Sequence, residues 1–143
     1  MPNKSPARLL FAYGTLKRRG RLHQQLMSQG AQYRGHARIR GRLFKITGTS
    51  YPGAVPARGD NFITGELYEL EMPAKALQKI DKLEGCDEGL FVRKLVGAWI
   101  SDDRKVRAWA YFYARPLRQS RPIASGRFPM RRGAGSAQPR GAA

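Results

Sequence analysis

Apolar and polar residues alternate along much of this chain, and the breaks fall on glycine or proline. Residues 9–13 (Leu-Leu-Phe-Ala-Tyr) form a short apolar run that stops at Gly14. That predicts a buried strand leading into a turn. Residues 22–28 predict a short helix stopped by Gly30. Residues 37–46 alternate strictly, with Ile39, Gly41 and Leu43 on one face and Arg38, Arg40 and Arg42 on the other. This is the pattern of a strand with one solvated face. Residues 62–70 and 91–100 read as further strands. Residues 106–113 alternate with both faces apolar, Val106, Ala108, Ala110 and Phe112 against Trp109, Tyr111 and Tyr113, so that strand should be covered on both sides. Residues 73–84 give the clearest helix: Pro73 suits the first helical position and Gly85 the left-handed residue after the last turn. Five strands and two helices predict an α+β domain with a mainly antiparallel, curled or barrel-like sheet.

Composition sets the limits of that domain. The chain has 143 residues, enough for one domain with a real core and too few for two. Residues 1–8 read as a flexible polar leader, residues 9–128 as the folded domain, and residues 129–143 as a disordered basic tail without apolar periodicity. The longest apolar run near the start is too short to span a bilayer, and it lacks the length and cleavage site of a signal peptide. A single cysteine, Cys86, cannot form an internal disulfide, so the cytoplasm is the default location.

Charge adds a second theme. The net charge is +17, and all 10 acidic residues lie between Asp60 and Asp103. A chain this basic invites a polyanion, and weak, non-specific polyanion binding is expected. High pI as a plain solubility device is the competing reading.

One carboxylate stands apart. On the 73–84 helix, Ala76, Leu77, Ile80 and Leu83 form an apolar stripe at about 100° per residue. Glu84 falls within that stripe, and Lys75, Lys79 and Lys82 occupy the opposite face. A carboxylate aimed inward at a helix C-terminus is costly to ionise, so its pKa should rise toward the range useful for proton exchange. The structural alternative is that Glu84 bends outward and pairs with an arginine. The Tyr13-Gly14-Thr15-Leu16 turn is a second candidate, because such a turn can aim successive N–H groups at an anion. A plain strand turn is its structural alternative. His23 and His36 read as ordinary surface histidines, and Cys86, with no histidine near it in sequence, as a bystander. Two histidines and one cysteine give no metal-ligand cluster.

Together these segments form a recognisable set. Phe11-Ala-Tyr-Gly-Thr-Leu-Lys17, Tyr51-Pro52-Gly53, Gly65-Glu-Leu-Tyr68, Ile80-Asp81-Lys-Leu-Glu84-Gly85 and Phe91-Val-Arg93 resemble the γ-glutamylcyclotransferase-like family in order and spacing. The fragment Pro122-Ile-Ala-Ser-Gly126 resembles that family's C-terminal pattern. The resemblance implies a small β-barrel with flanking short helices. It implies conversion of a γ-glutamyl amine, amino acid or peptide to 5-oxoproline, with Glu84 as general acid/base. It also implies that Tyr13, Gly14, Thr15 and Leu16 hold the glutamyl moiety, and that no metal or organic cofactor is needed. Phe91 departs from the family's usual tyrosine.

The competing reading is a non-catalytic binding module of the same fold that presents a basic surface to RNA. Arg38, Arg40 and Arg42 on one strand face, together with Lys17, Arg18, Arg19 and Arg21, could neutralise phosphates. In the linear sequence, however, only Tyr33 and Phe44 lie close enough to those charges to offer stacking platforms.

Overall fold

The computed structural model describes residues 7–49, 51–117 and 120–128. Among them, β1 (Leu9–Ala12), β5 (Phe62–Leu70), β2 (Ala31–Arg40), β6 (Phe91–Ser101) and β7 (Arg104–Tyr113) form a closed barrel in that order. Every pairing between neighbours is antiparallel except the last, where β1 meets β7 in parallel with Leu10 opposite Trp109. A second sheet, ordered β4 (Pro52–Val55), β3 (Arg42–Lys45), β8 (Arg121–Pro122), stands beside the barrel. The short helix α1 (His23–Met27) and the longer α2 (Pro73–Leu83) flank it. The fold is therefore α+β, a small and mainly antiparallel barrel with short helices, as the alternation predicts. No helix among the described residues is long and apolar enough to cross a membrane.

The alternating faces are realised directly. Ala37, Ile39, Leu43, Ala98, Ala108 and Ala110 are buried in the core, and small residues there let the barrel close tightly. Arg40 and Arg42 are exposed, as expected for the solvated face. The stretch read as one strand over 37–46 is two. The chain bends at Gly41 and passes from the barrel to the second sheet, so β2 ends at Arg40 and β3 begins at Arg42. The inside–outside alternation continues through the bend, which hides it from a periodicity argument. The strand also starts earlier, at Ala31, with an irregularity between Tyr33 and His36 where Gly35 takes a φ of 105°.

Of the leader and tail boundaries, residues 1–6 and 129–143 lie outside the described residues. Ala7 and Arg8 are described: the Ala7 carbonyl accepts from Trp109 Nε1 at 3.2 Å, and Arg8 Nη1 donates to the Glu71 carbonyl at 2.9 Å. At the other end, Ile123 N donates to Leu43 O and Thr64 N to Gly126 O, so the segment after β8 is stitched to both sheets.

Candidate active site

Strand β1 delivers Tyr13 into the core with 1% of its surface exposed. Its hydroxyl donates to the Tyr111 carbonyl at 2.7 Å and accepts from Ala54 N at 3.3 Å. Burial first, and the charge of Glu84 second, push this phenol well above its ordinary range, while the Ala54 N–H pulls the other way. The charge of Glu84 is therefore felt at Tyr13, although about 70 residues separate them in the chain.

After Tyr13 the chain turns. Lys17 N donates to Gly14 O at 3.0 Å, and Leu22 N to Thr15 O at 2.8 Å. Gly20 crosses so close that a Cβ there would sit 2.1 Å from the Thr15 carbonyl oxygen, so this crossing requires glycine. Leu16 is buried in the core, and its carbonyl accepts from His23 Nδ1 at 3.0 Å. Thr15 is buried too, and among the described residues its Oγ1 has no hydrogen-bond partner. Such an atom ordinarily costs about 1–3 kcal/mol, which makes it a natural place for a ligand's polar group.

Glu84 caps the C-terminal end of α2 and has no exposed surface. The helix buries Ala76, Leu77 and Ile80, the stripe that carries Glu84 inward. Gly85 follows with a φ of 70°, the left-handed stop expected there. A carboxyl group held out of water at a helix C-terminus is expensive to keep charged.

A network missed by sequence reasoning lies one helical turn earlier. Asp81 accepts from Arg93 Nε at 2.8 Å, from Arg93 Nη2 at 3.1 Å and from the Tyr111 hydroxyl at 2.6 Å. Tyr111 thus ties α2 to Tyr13, through its side chain at one end and its carbonyl at the other. An available signal was an acid three residues before Glu84, on the neighbouring face of one helix. Burial, the Asp81 hydrogen bond and the charges of Asp81 and Glu84 all raise the Tyr111 phenol. Burial, then Asp81 and Glu84, push the Cys86 thiol up to about 11, so it stays protonated and poorly nucleophilic at neutral pH.

Glu66 is the other buried acid, with 7% exposed. Its Oε1 accepts from Arg18 N and from the Tyr68 hydroxyl, each at 2.8 Å. It pins the far end of the turn that contains Thr15, a role that depends on a residue 48 positions away.

Two cavities, of about 460 and about 370 Å3, open on the described surface, the first beside Lys17, Glu66 and Phe128. Neither is lined by Tyr13, Gly14, Thr15, Leu16 or Glu84. Glu84 and Tyr13 are both buried and linked electrostatically, and Gly14, Thr15 and Leu16 form the turn leaving Tyr13. Among the described residues, no group of three or more His, Cys, Asp or Glu is placed to hold a metal ion.

The sequence matches the family described as gamma-glutamyl cyclotransferase, AIG2-like, over residues 10–130. Among solved structures, an AIG2-like protein from Mus musculus is similar with a TM-score of 0.64 at 23% identity, over 75% of this chain and 77% of that one. YkqA from Bacillus subtilis is similar with a TM-score of 0.64 at 28% identity, over 85% of this chain but only 39% of YkqA. A protein named gamma-glutamyl cyclotransferase is similar with a TM-score of 0.63 at 19% identity, over 80% of this chain and 70% of that one. At 19% and 23% identity the likeness is one of fold. Comparison with curated proteins gives no match.

Proposed function

This chain belongs to the AIG2-like gamma-glutamyl cyclotransferase family, and on that premise we propose that it cyclises a γ-glutamyl amide to 5-oxoproline with Glu84 as its acid–base group. The observation that carries the reading is that Glu84, at the C-terminal end of α2, is wholly buried and its charge is felt at the equally buried Tyr13.

The α-ammonium of a γ-glutamyl compound is no nucleophile until it loses a proton. Glu84 takes that proton, and the free amine attacks the γ-carbonyl carbon of the same molecule. A C–N bond forms and closes the five-membered ring. The ring nitrogen then sheds its second proton, the bond from that carbon to the leaving nitrogen breaks, and Glu84 returns its proton to that nitrogen. The second proton follows, so the leaving group departs as an ammonium and the carboxylate ends as it began. Tyr13, Gly14, Thr15 and Leu16 hold the glutamyl moiety. The Thr15 hydroxyl, buried without a protein partner among the described residues, is available to its polar groups. Binding the substrate folded removes much of the entropic cost of ring closure.

Asp81, Arg93 and Tyr111 position this apparatus. The bidentate Asp81–Arg93 pair fixes the last turn of α2 against β6, and Tyr111 links that turn to Tyr13. The test is direct: purified protein is incubated with a panel of γ-glutamyl amines, amino acids and peptides, and 5-oxoproline is measured. Release from at least one member that disappears in Glu84→Gln is the expected result. No release from any member, with the protein folded, would overturn the proposal.

A further inference from the structure

Outward-facing residues of four barrel strands fall into rows that mix cations with aromatic rings. Thr64, Arg38, Trp99 and Lys105 are successive register partners across β5, β2, β6 and β7. In the next row Phe62 pairs with Arg40, and Gly97 pairs with Arg107. Ala37, Ile39, Ala98 and Ala108, which alternate with these residues, are buried in the core. The rows therefore lie on the outer face. Arg40, Lys105 and Arg107 are exposed; Arg38, Phe62 and Trp99 are half-buried.

The aromatic platforms that the linear sequence lacks beside its arginines come from the neighbouring strands. The Arg38 guanidinium lies 4.7 Å from the centre of the Phe62 ring, and that of Arg40 lies 5.9 Å from the same ring. The Lys105 ammonium lies 5.1 Å from the centre of the Trp99 ring. Gly97 lets the stem of Lys105 lie across the face, since a Cβ there would sit 2.7 Å from Lys105 Cδ. Beside it opens the cavity of about 370 Å3, whose lining includes Arg40, Lys94, Trp99, Lys105 and Phe112. Asp102 is ion-paired to Arg38 at 3.2 Å, but its side chain is fully exposed, and such a pair contributes little against a phosphate.

We propose that this face binds single-stranded nucleic acid, with phosphates on Arg38, Arg40, Lys105 and Arg107 and bases stacked on Trp99, Phe62 and the guanidinium planes. Cations alone would accept any polyanion. Rings set between them on the outer face of the barrel favour a partner whose charges alternate with flat apolar groups, and single-stranded nucleic acid has that chemistry. An anionic lipid surface would instead call for apolar side chains projecting from an amphipathic helix. The proposal is independent of the cyclotransferase reading, because none of these residues belongs to the candidate active site.

The test uses the full chain and a fluorescein-labelled oligothymidylate of about 12 nucleotides, within the usual site size for such faces. Anisotropy titrations at about 50 and about 200 mM salt give the slope of affinity against salt. The variant Arg38→Ala/Arg40→Ala/Lys105→Ala/Arg107→Ala should flatten that slope by roughly 0.7 for each phosphate it no longer neutralises. Trp99→Ala should weaken binding roughly tenfold by removing a stacking platform. Oligothymidylate should also quench tryptophan emission in the unaltered protein, less so in Trp99→Phe. This readout stands even where a multiple variant fails to fold. Unchanged slope in a folded four-cation variant, or saturation without quenching, would overturn the proposal. So would tighter binding to mixed phosphatidylcholine–phosphatidylglycerol vesicles than to the oligonucleotide, which would assign the face to lipid.

Discussion

The hydroxyl of Tyr13 donates to the main-chain carbonyl of Tyr111 across 2.7 Å, in a place water does not reach. This bond joins the strand that opens the candidate active site to the strand whose side chain grips α2. Tyr13→Phe removes it and leaves the Tyr111 carbonyl and the Ala54 N–H short of a partner. Urea unfolding should show a loss of about 1–3 kcal/mol. Turnover should fall alongside it, because the charge of Glu84, the proposed acid–base group, is felt at Tyr13. Equal stability in the phenylalanine variant would mean that the bond contributes nothing.

Glu84→Gln keeps the shape of the side chain and removes the proton exchange. Production of 5-oxoproline should fall by roughly two to four orders of magnitude. Thermal stability should hold or rise, since a buried neutral amide costs less than a buried carboxylate. Glu88→Gln, exposed beyond Gly85, should leave both quantities as they were. A Glu84→Gln variant that turned over normally would remove the proposed mechanism; one that failed to fold would make the residue structural.

Cys86 offers a reporter of the charge at Glu84. Its thiol is pushed up to about 11 by burial, then by Asp81 and Glu84. The native thiol binds its proton more tightly than an unfolded one, so a disulfide reagent should react slowly at about pH 8. The rate should climb only as the pH rises toward about 11. In Glu84→Gln one of the causes is gone, and the rise should move to lower pH. An identical profile in the two proteins would show that Glu84 carries no charge felt at Cys86.

Gly20→Ala places a methyl group against the Thr15 carbonyl, where only 2.1 Å is open. The turn must shift, at about 1–3 kcal/mol of stability. The effect on catalysis should appear mainly as a raised KM, since in the proposed mechanism the turn holds substrate and does not exchange its protons. Steady-state kinetics on a good γ-glutamyl substrate would separate the two constants. A lowered kcat with an unchanged KM would put the turn in the chemical step instead.

What the sequence disclosed, and what it hid, follows from the range of each interaction. The α2 stripe, the stop at Gly85 and the inward aim of Glu84 are local, and one helical period exposes them all. The arginine face of β2 is equally local. By contrast, Asp81 acquires its meaning from Arg93 and Tyr111, and Glu66 from the backbone of Arg18, partners visible only after the barrel has closed. Strand β4 has four residues, two of them Pro52 and Gly53, and takes its extended form from pairing with β3 rather than from propensity. The mixed face of cations and rings is hidden for the same reason, because Phe62 meets Arg38 and Arg40, and Trp99 meets Lys105, from other strands.

The parallel pairing of β1 with β7 has a consequence in time. Trp109 also reaches Ala7, 102 residues upstream, so the first strand waits for almost the last one before the barrel can shut. Pairings between such distant parts of a chain form slowly, and barrels dominated by them fold over milliseconds to seconds. Until then one edge of Leu9–Ala12 lacks its partner, and an unpaired apolar edge is where nascent chains associate wrongly. Because Tyr13 hangs from that strand, catalytic competence should be acquired only in the closing step, and fragments ending before β7 should aggregate rather than retain partial activity.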